Sequence, residues 1–179
     1  MESKKVLLPI LNLFLIAILQ LVILPIRYQH PLALPLHLQR NESQQETFWI
    51  CSLSLFFSFL VCDGIAYWFH FFLHKNKFLF THIHSIHHEQ NDPTFISTIY
   101  MHPLEMIPFY LIYKLPFLIG VRCNYVTSAV YEIVLIFITF MDHGVRFGMF
   151  KKHVDHHRYQ IGNYATCIPY FDSFFRTEI

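Results

Sequence analysis

The feature of this chain that most constrains its fold is an uncharged apolar run at residues 6–26, with the sequence VLLPILNLFLIAILQLVILPI. A helix rises about 1.5 Å per residue, so a run of this length crosses a bilayer core of about 30 Å. Lys4 and Lys5 precede the run, which is longer than the apolar region of a signal peptide and has no small-residue cleavage pattern after it. The run therefore predicts a retained transmembrane anchor.

Three more apolar stretches follow, at residues 48–69, 107–121 and 125–141. Only the short RCN connection separates the last two, which predicts a helical hairpin, either fully spanning or partly re-entrant. Pro108 and Pro116 are expected to kink its first helix. Because 54% of the residues are apolar, the chain is predicted to be an all-α integral membrane bundle of about four transmembrane helices.

A polar loop with several prolines follows the first run and divides the chain into two predicted parts. Residues 1–46 are predicted to form an N-terminal membrane anchor and polar loop, and residues 47–179 are predicted to form a second domain. Basic residues favour a cytosolic location for the side of the bundle on which the second and fourth runs end. On that side are Lys4, Lys5, Lys75, Lys77, Arg146, Lys151, Lys152, Arg158 and Arg176, against Arg27, Arg40, Lys114 and Arg122 on or toward the other.

The composition argues against two classes of protein. The net charge is +1 at pH 7 and no basic run is interleaved with stacking aromatic residues, so no nucleic-acid partner is expected. The cysteines have no C-x-x-C spacing, so neither a disulfide framework nor a thiolate metal site is expected. They are Cys51, Cys62, Cys123 and Cys167.

Histidine is the unusual residue, with 13 copies, as many as Lys and Arg together. In the sequence HFFLH, His70 and His74 are one helical turn apart where the second apolar run ends, so they can share one metal ion. Isolated histidines such as His30 and His37 in the polar loop are interpreted as ordinary solvated or hydrogen-bonded side chains.

Two H-x-x-H-H patterns follow the first histidine pair. In HIHSIHH, the three residues of the pattern lie on one helical face, whereas His82 points to nearly the opposite side and is left out. The pattern recurs in HVDHH, and His143 is placed where the fourth run ends. The nine candidate ligands are therefore His70, His74, His84, His87, His88, His143, His153, His156 and His157.

Nine imidazoles on one face of a membrane bundle favour a catalytic site for two metal ions. Clustered neutral imidazoles suit Fe, Zn, Cu or Ni, and nine nitrogens give two ions four or five ligands each, with positions left open. Structural zinc needs only four ligands and usually includes thiolates. Iron is the expected metal for redox chemistry, with zinc as the alternative.

These residues resemble the fatty acid hydroxylase and sterol desaturase superfamily of membrane non-haem di-iron enzymes. The resemblance runs from about Asp63 to Thr177 and rests on DGIAYWFHFFLH, HIHSIHH, YMHPLE, MDHG and HVDHHRYQIGNYATCIPYFDSFFRT. Within the superfamily the chain most resembles the sterol-modifying branch that includes cholesterol 25-hydroxylase, sterol C4-methyl oxidase and sterol C5-desaturase. The resemblance implies that the nine histidines are metal ligands on a cytosolic cap, usually in the endoplasmic reticulum. One departure is Arg176, where a glycine is usual.

Four further residues are candidate ligands or supports of the metal site. His102 in HPLE is an uncertain tenth ligand, with a supporting or structural role as the alternative. Asp63 is too far along its helix to bond His70, so it either orients a histidine from another segment or is a carboxylate that faces the membrane boundary. Asp142 adjoins His143 and is either an acceptor for an imidazole N–H or a surface residue. Asn163 occupies a motif position and is interpreted as part of the scaffold or the surroundings of the metals.

Glu132 lies inside an apolar run, where an ionisable side chain is costly. It therefore marks either a cavity with a polar partner, such as a lipid hydroxyl, or a neutral hydrogen-bonded side chain. Both interpretations stay open at the level of the sequence.

The expected function is oxidation of a lipid C–H bond by an O2-dependent di-iron oxidoreductase, either a hydroxylase or a desaturase. Oxidation of an unactivated C–H bond needs an oxidant that no amino-acid side chain supplies, so a metal must provide it. Sterol is the leading substrate class, with fatty-acyl or sphingoid lipids as the alternative. The sequence has no G-x-G-x-x-G fingerprint, so the resemblance implies an external NAD(P)H-linked electron donor of the cytochrome b5 or reductase type.

Two other interpretations belong to different classes. A metal transporter would need ionisable ligands along a path at mid-membrane, whereas these histidines cap the helices. A catalytically degenerate metal-binding membrane protein is favoured by the Arg176 departure, the short segment between His143 and His153 and the short C-terminal region.

Overall fold

The structure, a computed structural model, describes residues 2–29, 44–119 and 125–179. Every regular element in these ranges is helical, which confirms the all-α prediction. The predicted RCN connection and the loop containing His30 and His37 lie outside the described residues. The helices are α1 (Glu2–Gln29), α2 (Gln44–Lys75), α3 (Lys77–His82), α4 (Pro103–Leu118), α5 (Tyr125–Gly144), α6 (Lys151–Tyr159) and α7 (Tyr170–Phe175), with 3₁₀ segments at His84–Glu89, Phe95–Ile99 and Gly148–Phe150.

Two helices in the described ranges are long and apolar enough to cross a membrane, at Lys5–Ile23 in α1 and Trp49–Lys75 in α2. A third crossing is added if Thr127–Gly144 and Gly148–Tyr159, which are bent by 63° relative to each other, form one span. Helix α4 has 16 residues, about 24 Å of length, which is less than the bilayer core. The count of four spans therefore stays a prediction.

The long helices present large apolar side chains outward. Leu7 and Phe14 on α1, Phe57 on α2 and Ile133 and Phe137 on α5 are all more than half exposed. Soluble proteins rarely leave so much contiguous apolar surface uncovered. These faces therefore suit contact with lipid, in agreement with an integral membrane protein.

Helix α2 contacts α3, α4 and α5, and α1 packs against α4. Leu55 of α2, Phe117 of α4 and Tyr131 and Leu135 of α5 form a buried cluster between these helices. The buried Asn12 of α1 donates from Nδ2 to the backbone carbonyls that precede α4, as its polar amide requires in an apolar helix. These carbonyls are Ile99 O at 2.9 Å and Met101 O at 2.8 Å.

The C-terminal segment folds back over the end of α2 and is held by Asp172. The Asp172 carboxylate accepts hydrogen bonds from the backbone N–H of Tyr164 at 2.7 Å and of Ala165 at 2.8 Å, and from Thr177 Oγ1 at 2.8 Å. The hydroxyls of Tyr67 in α2 and Thr177 are 3.0 Å apart. The segment is therefore closed even though Arg176 replaces the usual glycine.

The backbone conformation at Arg176 explains why a glycine suits this position. It ends α7 in the left-handed conformation, with φ 57° and ψ 41°, which a Cβ atom makes unfavourable by about 1 kcal/mol. Its side chain is exposed. The departure from the family motif therefore introduces backbone strain without opening the segment.

We predict that Arg176→Gly stabilises the protein, by about 0.5–1 kcal/mol, because glycine adopts the left-handed conformation without strain. In a chain of this size the melting temperature in detergent should rise by about 2 °C. Arg176→Ala is the control, because it removes the same side chain but keeps the strain, so its melting temperature should not rise. Equal stabilisation by both substitutions would contradict the explanation.

Candidate metal centre

Four segments of the chain bring the nine predicted histidines to one end of the bundle. They are the last two turns of α2, the 3₁₀ segment His84–Glu89, the last turn of α5 and helix α6. All nine side chains are buried except that of His74, which is partly exposed. The segment from His84 is a 3₁₀ helix rather than the α-helix that the sequence analysis assumed.

The imidazoles divide into two groups, in each of which one nitrogen from every ring lies within 4.8 Å of the others. The five-histidine group contains His70, His74, His84, His88 and His156. The four-histidine group contains His87, His143, His153 and His157.

In the five-histidine group, three other rings surround Nε2 of His84. The distance from this atom to Nε2 of the other ring is 3.1 Å for His70, 2.8 Å for His74 and 3.0 Å for His88. The fifth ring, His156, joins through an Nε2–Nε2 distance of 3.0 Å to His74. Two nitrogens bound to one ion at about 2.1 Å and at right angles are about 3.0 Å apart. The spacing of this group therefore fits ligands of a single metal ion.

The four-histidine group has similar spacing. Nε2 of His143 is 3.3 Å from that of His87 and 3.2 Å from that of His153. His157 completes the group, and both of its ring nitrogens are buried without a hydrogen-bond partner among the described residues. A buried polar atom of this kind costs free energy unless water or an ion satisfies it.

Backbone carbonyls fix the protonation of the rings so that lone pairs face each other. Nδ1–H of His87 donates to Tyr100 O at 3.1 Å, and Nδ1–H of His143 donates to Thr139 O at 2.9 Å. A neutral imidazole has one N–H, so Nε2 of both rings is unprotonated. Two such nitrogens repel each other, whereas a cation between them binds both. The same tautomer is set for His70 by Tyr164 O at 2.8 Å and for His156 by Gly162 O at 2.7 Å.

Burial also keeps the histidines of the 3₁₀ segment neutral. Loss of hydration lowers the pKa of His84 to about 3 and lowers the pKa of His87, for which Glu105 opposes the shift. The pKa of His88 is lowered by burial and then by neighbouring imidazoles. At neutral pH these rings are therefore unprotonated bases, the form that coordinates a metal.

Glu105 in the first turn of α4 supports the five-histidine group, and the sequence analysis missed it. It is fully buried, and its Oε1 accepts a hydrogen bond from His84 Nδ1 at 2.7 Å. Burial raises the pKa of Glu105 to about 8, with the field of His87 opposing the shift. A cation bound at the neighbouring Nε2 atoms would favour the carboxylate, which orients the ring and makes it a stronger ligand. The signal in the sequence that could have identified Glu105 is the HPLE motif, in which Glu105 follows His102 by three residues.

The other predicted residues lie outside both groups. His102 caps α4, where its Nδ1 accepts a hydrogen bond from Leu104 N at 3.1 Å. Asn163 donates to the carbonyl of Lys152 at 3.1 Å and accepts from Ile179 N at 3.2 Å, which is a scaffold role. His82 is exposed and outside the groups, where the sequence analysis placed it.

The two aspartates differ from expectation in their surroundings. Asp63 does not orient a histidine, because its hydrogen bonds go to Tyr113 at 3.1 Å, Thr166 at 3.3 Å and Ile168 N at 3.2 Å. These bonds connect α2, α4 and the C-terminal segment. Asp142 is buried, so the surface alternative is wrong, and its Oδ2 has no partner among the described residues.

A cavity of about 460 Å³ extends from the histidines into the bundle. His70, His87, His143 and His153 line one end. Its walls are largely apolar side chains of α1, α4 and α5. The size lies within the range of about 300–1,000 Å³ typical of small-ligand sites.

Comparison with known proteins agrees with this geometry. A sequence model of the fatty acid hydroxylase family matches residues 55–177, more than half of the chain. Sphinganine C4-monooxygenase 1 of Arabidopsis thaliana is 34% identical over 67 residues, 37% of this chain and 26% of the relative. Very-long-chain aldehyde decarbonylase GL1-9 of Oryza sativa subsp. indica is 50% identical over 46 residues, 26% of this chain and 18% of the relative. The cholesterol 25-hydroxylase-like protein of Caenorhabditis briggsae is 39% identical over 57 residues, 32% of this chain and 18% of the relative.

The matches thus cover about a quarter or less of the length of these curated relatives. No solved structure matches the chain. The family and the histidine groups together indicate a metal cofactor.

We predict that His156→Ala and His157→Ala each lower the metal content to about half that of the unaltered protein, because each removes a ligand from a different group. His82→Ala is the matched control from the exposed surface and should keep the full metal content. The measurement is elemental analysis of iron-loaded, detergent-purified protein after desalting. Unchanged metal in both group variants would contradict the assignment.

We also predict that Glu105→Gln weakens metal binding about tenfold, the lower end of the range of about 10–100-fold for such supports. The amide oxygen still accepts from His84 but carries no charge. Competition with a chelator measures the affinity, and Glu178→Gln, at an exposed carboxylate, is the control. An affinity within about twofold of the unaltered protein would show that the Glu105 charge does not support the metal.

Proposed function

The chain belongs to the fatty acid hydroxylase family, and from that premise we propose that it is a membrane-bound, O2-dependent di-iron oxidoreductase that hydroxylates or desaturates a lipid. Sterol is the leading substrate class, and a fatty-acyl or sphingoid lipid is the alternative. The observation that carries the proposal is the pair of histidine groups at the end of an apolar cavity.

In this proposal the five-histidine group and the four-histidine group each bind one iron ion. The donor set fits, because both groups consist of unprotonated imidazole nitrogens, and imidazole suits iron. Bound iron would supply the activation of O2 and the oxidation of an unactivated C–H bond, which no side chain performs. The chain itself supplies ligand geometry through Glu105 and the backbone carbonyls, and a water-poor site through burial.

The proposed reaction balances with an external reductant. In hydroxylation, one oxygen atom of O2 enters the lipid C–H bond and the other leaves as water, with two electrons and two protons from outside. In desaturation, the lipid loses two hydrogens to form an alkene, and both oxygen atoms leave as water, again with two electrons and two protons from outside. An NAD(P)H-linked donor of the cytochrome b5 or reductase type is the proposed source of electrons.

The cavity positions the substrate in this proposal. His87 and His143 of the four-histidine group and His70 of the five-histidine group face the same cavity, so a lipid inside it reaches both metal sites. The apolar walls exclude water and favour hydrocarbon over charged molecules.

We propose that the protein lies in the endoplasmic reticulum membrane with the histidine groups on the cytosolic side. Support comes from basic residues near the histidine end of the bundle, since basic residues are enriched on the cytosolic side of membrane helices. These are Lys75, Lys77, Lys151, Lys152 and Arg158.

The test is O2 uptake by iron-loaded protein in lipid nanodiscs with a chemical reductant and a panel of sterols, fatty acyl lipids and sphingoid bases. We expect uptake that depends on one lipid class, with a product that has gained one oxygen atom or lost two hydrogens. His156→Ala combined with His157→Ala should abolish uptake, and His82→Ala should leave it unchanged. Retention of zinc and no uptake after iron loading would instead indicate a degenerate metal-binding protein.

A further inference from the structure

Four polar side chains meet at the end of the cavity that is remote from the histidines. They are Gln20 on α1, Tyr110 and Lys114 on α4 and Glu132 on α5, named here the intramembrane polar cluster. Lys114 Nζ is 2.9 Å from Glu132 Oε1, and Gln20 Nε2 donates to Glu132 Oε2 at 3.1 Å. The hydroxyl of Tyr110 donates to Gln20 Oε1. Three helices therefore contribute to one hydrogen-bonded unit that faces the cavity.

The charge of the cluster restricts what can bind beside it. Lys114 is buried and forms an ion pair with Glu132, so these two opposite charges compensate each other. An ionic ligand would compete with one member of the pair, whereas an uncharged hydroxyl can donate to or accept from the cluster without disturbing it. Ionisable side chains at such depth are costly and usually mark a functional site. The chemistry thus favours an uncharged hydrogen-bonding group.

The walls between the two ends of the cavity are largely apolar, with a few hydroxyl-bearing side chains such as Tyr113 and Thr139. Leu13 and Ile16 on α1, Phe109 on α4 and Leu135 and Phe140 on α5 are among the residues that line it. A molecule that fills the cavity therefore has hydrocarbon between its polar end and the histidines. This is the pattern of a lipid with one polar end.

The separation between the polar cluster and the histidine end can be read from two helices. On α4, Lys114 is nine residues from Glu105, which is about 14 Å at 1.5 Å per residue. On α5, Glu132 is eleven residues from His143, which is about 17 Å. An extended carbon chain with bonds of about 1.52 Å advances about 1.25 Å per bond. The two ends are therefore about a dozen carbon–carbon bonds apart.

We infer that the intramembrane polar cluster binds the hydroxyl end of the lipid substrate, so that the carbon oxidised lies about a dozen bonds from that hydroxyl. The inference rests on the proposed function and adds both a recognition site and a position of attack. This geometry excludes oxidation of a carbon beside the hydroxyl, because such a carbon would lie at the polar cluster and too far from the histidine groups. A rigid sterol and a flexible long-chain alcohol share the required chemistry.

Lipid binding to metal-free protein tests the recognition site without turnover. The probes are cholesterol and its 3-deoxy analogue, and in a second arm a long-chain alcohol and the matching alkane, each in the full-length protein in nanodiscs. We expect the hydroxylated member of one pair to bind about tenfold more tightly than its partner. The pair that shows the preference distinguishes a sterol from a linear lipid.

Substitutions in the cluster should remove this preference. Gln20→Leu deletes the amide with little change in volume, and Tyr110→Phe deletes only a hydroxyl, so at least one variant should keep the fold. In both, the preference should fall to within about twofold. Leu21→Ile, on the exposed face of α1 next to Gln20, is the matched control and should keep the tenfold preference. Metal content of two ions per chain after iron loading serves as the check of folding.

Equal binding of the hydroxylated and deoxy lipids by the unaltered protein would overturn the inference, and so would a preference that survives both cluster variants. The position of oxidation provides a second test, by mass spectrometry of the product formed with iron and reductant. A product oxidised next to the hydroxyl overturns the inference while supporting the proposed function. Selective binding without any turnover supports the recognition site and counts against the proposed function alone.

Discussion

The interaction on which the structure depends is the close approach of unprotonated imidazole nitrogens inside the protein. Nε2 of His87 and Nε2 of His143 are 3.3 Å apart, and neither carries a proton because each ring donates a hydrogen bond from Nδ1–H to a backbone carbonyl. Such an arrangement is repulsive by itself and becomes favourable when a cation is bound. Burial prevents the rings from escaping this repulsion by protonation, because it lowers the pKa of histidines such as His84 and His87. The fold thus holds ligands in the form that binds metal.

Keeping these rings in place requires fixed contacts between segments that are distant in the sequence. Hydrogen bonds from Asn12 join α1 to the segment that precedes α4, and a hydrogen bond from the backbone N–H of Tyr164 to Asp172 holds the C-terminal segment together. The carbonyl of Tyr164 in turn accepts a hydrogen bond from Nδ1–H of His70. Asp63 joins α2 to the same C-terminal region. The hydrogen bonds outside the histidine groups therefore act on ring orientation as well as on stability.

The cavity connects the two polar regions of an otherwise apolar bundle. One end carries the histidine groups and the other carries the Lys114–Glu132 ion pair. Burying polar or charged groups in a membrane protein costs free energy, and such groups usually mark a functional site. For this reason we assign metal binding to one end and lipid recognition to the other. The notion that Glu132 marks a cavity with a polar partner, one of two interpretations from the sequence, agrees with its contacts.

The sequence by itself determined the helical membrane class, the family and the set of histidines that meet, since apolar run length and H-x-x-x-H or H-x-x-H-H spacing are local properties. Tertiary structure alone decided how the histidines divide. Adjacent His87 and His88 belong to different groups, as do His156 and His157, because neighbouring side chains point in different directions and their partners come from other helices. The same holds for Glu105 with His84 and for Lys114 with Glu132, which are far apart in the chain and meet only because α4 packs against its neighbours.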